Sequence, residues 1–160
     1  MWVEFTTFTV PGVPVPKARP RATRIGGVAR VYTPKKTARF ERLVALHLPA
    51  CRLPAEGVVK LSFRFILPRP ARKPRHISRQ AWKAPEPFHV GRSDIDNHMK
   101  SAMDAIGDWL GNDNRVVEVQ AVKACGANPR TEITVFTWMD ADDMLKAKPE
   151  AGESWEGRLN

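Results

Sequence analysis

Residues 94–124 read DIDNHMKSAMDAIGDWLGNDNRVVEVQAVKA, and they decide the fold class. Ile95, Met99, Ala102, Met103 and Ile106 recur at the spacing of one face of an α-helix. The spacing predicts a helix over 94–110, capped by Ser93 or Asp94, with Gly107 and Gly111 as places to stop. The pattern then changes period. Residues 115–124 alternate, with Val117, Val119 and Ala121 on one face, as in a half-buried strand. A helix leading directly into a strand places the chain among mixed α and β proteins.

Working outward, VVKLSFRFIL at 58–67 alternates the same way. Leu61, Phe63 and Phe65 face one side; Lys60, Ser62, Arg64 and Ile66 face the other. Residues 131–139 form a last strand, expected to pair with 115–124 as a hairpin across the turn at 126–130. The β-branched and aromatic run WVEFTTFTV at 2–10 is a first strand. The proline-rich stretch 11–27 reads as loop, followed by a short extended piece over 28–32. Thr33 before Pro34 resembles a helix start, with a helix running to about Leu48 and stopped by Pro49. Residues 68–92 hold five prolines and read as a long irregular connection. The order points to a single α+β domain, with a small mixed sheet and helices packed on one side. The expected domain covers residues 1–139, and residues 140–160 are an acidic tail.

The 160 residues carry 26 Lys and Arg against 17 Asp and Glu, a net charge of +9. Fourteen of the bases fall in two irregular segments, 11–36 and 68–92. Such clustering suits phosphate polyanions, which are bound with release of counterions. No apolar run is long enough to span a membrane. The first ten residues lack the charged start and apolar stretch of a signal peptide, so a cytoplasmic protein is expected. Cys51 and Cys125 stand too far apart in sequence for a CxxC pair and read as two reduced thiols.

The candidate chemistry lies in Asp94, Asp96, Lys100 and Asp113. Asp94 and Asp96 stand two apart at the helix start, and Asp96 and Lys100 share a helical face. Asp113 lies in the polar turn before the next strand. If that strand starts beside the helix start, the three carboxylates converge and need a cation between them. Read singly, the same residues are a helix cap, an exposed ion pair and a turn residue.

DIDNHMKSAMDAIGDWLGNDNRVVEVQAVK resembles the signature of the RusA family of Holliday-junction resolvases: D-x-D-N-x-x-K, an apolar helix, then an acidic turn before a strand. FTVPGVPVPKARPR followed by YTPKKT is similar to the basic N-terminal stretch of phage and prophage members. The resemblance implies a homodimeric, Mg²⁺-dependent endonuclease that cuts four-way DNA junctions at two symmetric phosphates, with Mn²⁺ able to substitute and no small-molecule cofactor. It implies that Asp94, Asp96 and Asp113 bind metal and that Lys100 assists at the scissile phosphate. Its DNA contacts would include Lys17, Arg19, Arg21, Lys35 and Lys36, with Arg69, Arg72, Lys73 and Arg92 added by the second basic segment. Trp82 and Phe88 either stack on splayed bases or pack on protein. Two departures stand out. Asn112 takes the place of a second acid common in the family, which implies weaker metal affinity. His98 stands where an aliphatic residue is usual and reads as a surface or interface histidine. Two other functions fit the composition: a branched-DNA binder without catalysis, and a basic protein–protein adaptor.

Overall fold

The computed structural model describes residues 1–91 and 93–140, with all their side chains except those of Arg21, Thr23, Ile25 and Arg30. Arg92 and residues 141–160, and with them most of the acidic tail, lie outside the described residues. In chain order the elements are β1 (Trp2–Pro11), β2 (Arg21–Ile25), β3 (Val28–Tyr32), α1 (Lys35–Leu46), β4 (Val59–Pro68), α2 (Arg79–Trp82), α3 (Ile95–Leu110), β5 (Val116–Gly126) and β6 (Arg130–Trp138). Among the described residues no helix is long and apolar enough to cross a membrane.

β4 is the organising strand. Its alternation buries Leu61, Phe63 and Phe65 on one face, where each aromatic contributes roughly 1.5–3 kcal/mol by leaving water. It pairs antiparallel with β6 and parallel with β5, giving the sheet order β1-β6-β4-β5. The hairpin expected between the last two strands therefore does not form, because β4 lies between them. Parallel strands cannot be joined by a tight turn. The connection from β4 to β5 instead runs through residues 69–115 and includes α3.

The inner face of the sheet carries the core. Val10 of β1, Ile133 and Val135 of β6, and the β4 aromatics meet Phe40 and Val44 of α1 and Ala102, Ile106 and Leu110 of α3. A bulge between Val59 and Lys60 shifts the pairing with β5, so that Val59 faces Val116 and Lys60 faces Glu118. The extra residue breaks the alternation. Val117 is consequently 59% exposed, although it was expected on the face of Val119 and Ala121. The outer face is polar. Lys60 pairs with Glu118, and Arg64 and Arg130 share Glu86 and Glu132.

Three local expectations change. Residues 21–32 form a two-stranded ribbon, β2 against β3, joined by Gly26-Gly27 with positive φ at both. That backbone suits glycine and matches strand twist. α1 begins at Lys35, because Pro34 is extended (φ −56, ψ 140) and serves as cap in place of Thr33. It ends at Leu46, where His47 donates its backbone N–H to Val44. The segment 68–92 contains ordered structure: Ser78 caps the single turn α2, and Phe88 bridges Ala124 of β5. Both cysteines are free, as expected.

His98 lies in the core, contrary to the expected surface or interface placement. Its position on α3 faces the sheet, and it is fully buried against Phe65, with ring centroids 5.2 Å apart. Among the described residues neither ring nitrogen has a protein partner. Burial, with help from the Lys123 and His89 charges, holds its pKa at about 4 instead of 6.5. The unfolded chain therefore takes up this proton at higher pH than the folded one. The group's contribution is full above pH 6.5 and is lost as pH falls through about 4, by up to about 3 kcal/mol. Denaturant unfolding in EDTA should show that loss in the wild type and a flatter profile in His98→Leu.

Candidate active site

The start of α3 positions Asp94 and Asp96. Asp94 occupies its N-cap position with extended backbone, yet its side chain makes no capping hydrogen bond. Among the described residues this exposed carboxylate has no hydrogen-bonding or ion-pair partner. Asp96 lies in the first turn, where the helix dipole favours an anion. The Lys100 ammonium, 3.0 Å away, holds the Asp96 carboxyl below its usual range. Both groups are exposed, so the pair does little for stability.

The basic N-terminal loop is tied to the same end of α3. The Lys17 N–H donates to the Asn97 carbonyl at 2.7 Å, and the Ala18 N–H to the buried Thr37 hydroxyl at 3.3 Å. The two stretches that resemble the RusA signature, far apart in sequence, are thus bonded to each other. The Lys17 ammonium lies 2.6 Å from Glu41 of α1 and 2.5 Å from Asp104 of α3. Partial burial opposes its charge, but the bonds to Asp104 and Glu41 outweigh that and raise its pKa. Arg19, Lys35 and Lys36 are exposed and carry no ion pair among the described residues.

Sequence reasoning missed Lys123. It pairs with Phe65 across β4 and β5, so it points to the inner face beneath the start of α3. Its ammonium donates to the Ser93 carbonyl and fixes the residue before Asp94. A lysine continuing the inward-facing series Val119, Ala121 was the available signal.

Asp113 lies elsewhere. The strand that follows it starts at the far end of α3, and 16 helical residues separate the ends by roughly 24 Å. Within one chain Asp113 does not meet Asp94 and Asp96. Among the described residues no three carboxylate, His or Cys side chains gather closely enough to hold a cation. Asp113 opens a 3-10 turn that Asn112 caps, its side-chain oxygen accepting from the Asn114 N–H at 3.0 Å. The residue that departs from the family pattern thus shapes the turn presenting Asp113. An open cleft runs along α3 from Lys100 past Met103 and Gly107 to Asp113.

Two bases of the second basic segment, Arg69 and Lys73, are committed to the segment itself. The Arg69 guanidinium stacks over Trp82 at 4.6 Å and bonds its carbonyl. Lys73 donates to the Ile77 carbonyl at 2.6 Å. Arg72 is exposed. The Arg21 side chain and Arg92 lie outside what is described. Phe88 is 68% exposed, whereas Trp82 packs on protein.

A mixed sheet with two exposed carboxylates at a helix start, and a basic loop bonded to that start, is an arrangement suited to chemistry on phosphate esters. The family model of endodeoxyribonuclease RusA matches residues 11–136, and the chain belongs to that family. The chain is also similar to the uncharacterized protein YqaN of Bacillus subtilis (strain 168), 27% identical over 138 residues that cover 80% of this chain and 93% of YqaN.

Lys17 and Arg19 should separate cleanly. Lys17→Met is expected to lower stability by about 1 kcal/mol by releasing the loop from two helices, as read by denaturant unfolding. Arg19→Ala should leave unfolding unchanged and weaken DNA binding in a fluorescence anisotropy titration.

Proposed function

We propose that the protein resolves Holliday junctions as a homodimer, hydrolysing two symmetric phosphodiester bonds with Mg²⁺. The observation that carries this reading is the separation of its acidic residues to opposite ends of α3. If two copies pair their α3 helices antiparallel, each Asp94–Asp96 pair comes to face the partner's Asp113. The cleft along α3 suits such pairing, because Gly107 leaves space: a Cβ there would meet no atom within 4 Å. One two-fold operation then creates two identical sites, which is the symmetry a four-way junction presents.

The residues fit a hard cation. Asp94 and Asp96 offer exposed carboxylate oxygens, and Mg²⁺ commonly takes one or two carboxylates plus phosphate and water. Bound there, it would supply an activated water and offset charge on the scissile phosphate. Lys100, now paired with Asp96, is placed to turn toward a phosphate oxygen as charge builds on it. Lys123 holds the helix start in place, so that Asp94 is presented without a search through rotated backbones. Arg19, Lys35 and Lys36 position the DNA backbone without reading its sequence. The same chemistry acts within recombination, and the protein would work in the cytoplasm.

Two outcomes test the reading. Asp96→Asn should cut junctions at least roughly 100-fold more slowly while binding them normally, as followed on labelled junctions. Asp96→Asn and Asp113→Asn proteins, each inactive alone, should recover nicking when mixed and allowed to exchange. Half the dimers would be mixed, each with one intact site, giving roughly a quarter of wild-type nicking. If each site lies within one chain, the mixture stays inactive.

A further inference from the structure

The β2–β3 ribbon stands outside the four-stranded sheet. It forms its own two-stranded sheet, and its close contacts run between its two strands. A lone hairpin is at best marginally stable in water. Every described side chain of this one is exposed. Val28 and Val31 point to opposite sides by strand alternation, and they are 61% and 72% exposed. Tyr32 at its base is 43% exposed. Small Ala22 and Ala29 lie beside Val31 and Arg24 on one side, keeping that side thin. A ribbon whose described side chains are all bare is built to be covered.

Charge indicates what covers it. From Lys17 to Arg39 the chain holds eight Lys or Arg and no Asp or Glu. Another copy of this basic segment would repel it, whereas a polyanion with walls on two sides would not. Each strand has five residues, giving a length of roughly 17 Å. The major groove of DNA is about 12 Å wide and admits a two-stranded β-ribbon between two phosphate walls.

We propose that the β2–β3 ribbon enters the major groove of a duplex arm, with Arg24 on a phosphate wall and Val31 against the base edges. This rests on the proposed action on branched DNA and specifies which element seats an arm. The ribbon is joined through the loop at Lys17 to the start of α3, so seating it would set the distance from arm to cleavage site.

The test uses the full chain on a labelled four-way junction, in EDTA so that the DNA stays intact, with affinity measured over a series of KCl concentrations. Arg24→Ala should reduce the slope of log affinity against log salt by about 1. Val31→Asp should weaken binding about tenfold or more, since it places an anion among phosphates. Wild-type protein should protect guanine N7 in one arm from dimethyl sulfate, and Val31→Asp should lose that protection. Both residues are exposed, so thermal unfolding should not move; if Val31→Asp does unfold the chain, Arg24→Ala and the wild-type N7 protection decide. Wild-type binding with an unchanged slope for Arg24→Ala and no N7 protection would overturn the ribbon's role and leave the nuclease reading intact. Conversion of a dimer to a monomer by Val31→Asp would also overturn it, because the ribbon would then pack on a second copy. Failure of the wild type to bind junction DNA would remove both proposals.

Discussion

A helix is a rigid spacer, and in this protein the spacer separates the acidic residues. Asp94 and Asp96 precede or open α3, and Asp113 follows it. The burial of Ala102, Ile106 and Leu110 against the sheet fixes the helix along its whole length. No local adjustment can bring its two ends together. Of the three candidate carboxylates, a single chain therefore offers Asp94 and Asp96 at one end of α3 and Asp113 at the other. Any site that uses all three has to draw on two chains, and the proposed dimer follows from that constraint rather than from surface area.

The packing that holds α3 also prepares its first turn. The row Lys123–Phe65–Thr131 lies under it, with Phe65 against His98 and the Lys123 ammonium on the Ser93 carbonyl. Buried polar atoms without partners concentrate here: both nitrogens of His98, the Ser101 hydroxyl and the Thr131 hydroxyl. Such groups are costly to bury. The fold accepts that cost beneath the residues that face solvent as Asp94 and Asp96, and it ties the Lys17 loop to the same turn. Basic loop and acidic turn are thereby presented as one surface.

Much of this was legible in the sequence. The 3.6-residue period of 95–110 and the alternation of 58–67 gave α3 and β4 to within a residue or two, because both are half-buried and periodic. The strand order was not legible. The residues of β5 and β6 would suit a hairpin equally well, and only the long-range fit of β4 between them decides otherwise. The ribbon was hidden because the prolines before it, up to Pro20, and its own arginines look like loop, although Gly26-Gly27 between two short runs with β-branched residues is a hairpin signal. His98 was misplaced because polarity suggests a surface, while its helical position demands the core. The motif named the acidic candidates, but their separation depends on which end of α3 meets β5. That is a property of the parallel pairing.

The most direct measurement is cleavage of a labelled four-way junction beside a linear duplex of the same sequence, with Mg²⁺ and with EDTA. The account predicts paired, symmetric nicks in the junction with Mg²⁺, none in EDTA, and little cutting of the duplex. Equal cutting of both substrates, or tight junction binding with no cutting in any divalent metal, would contradict it.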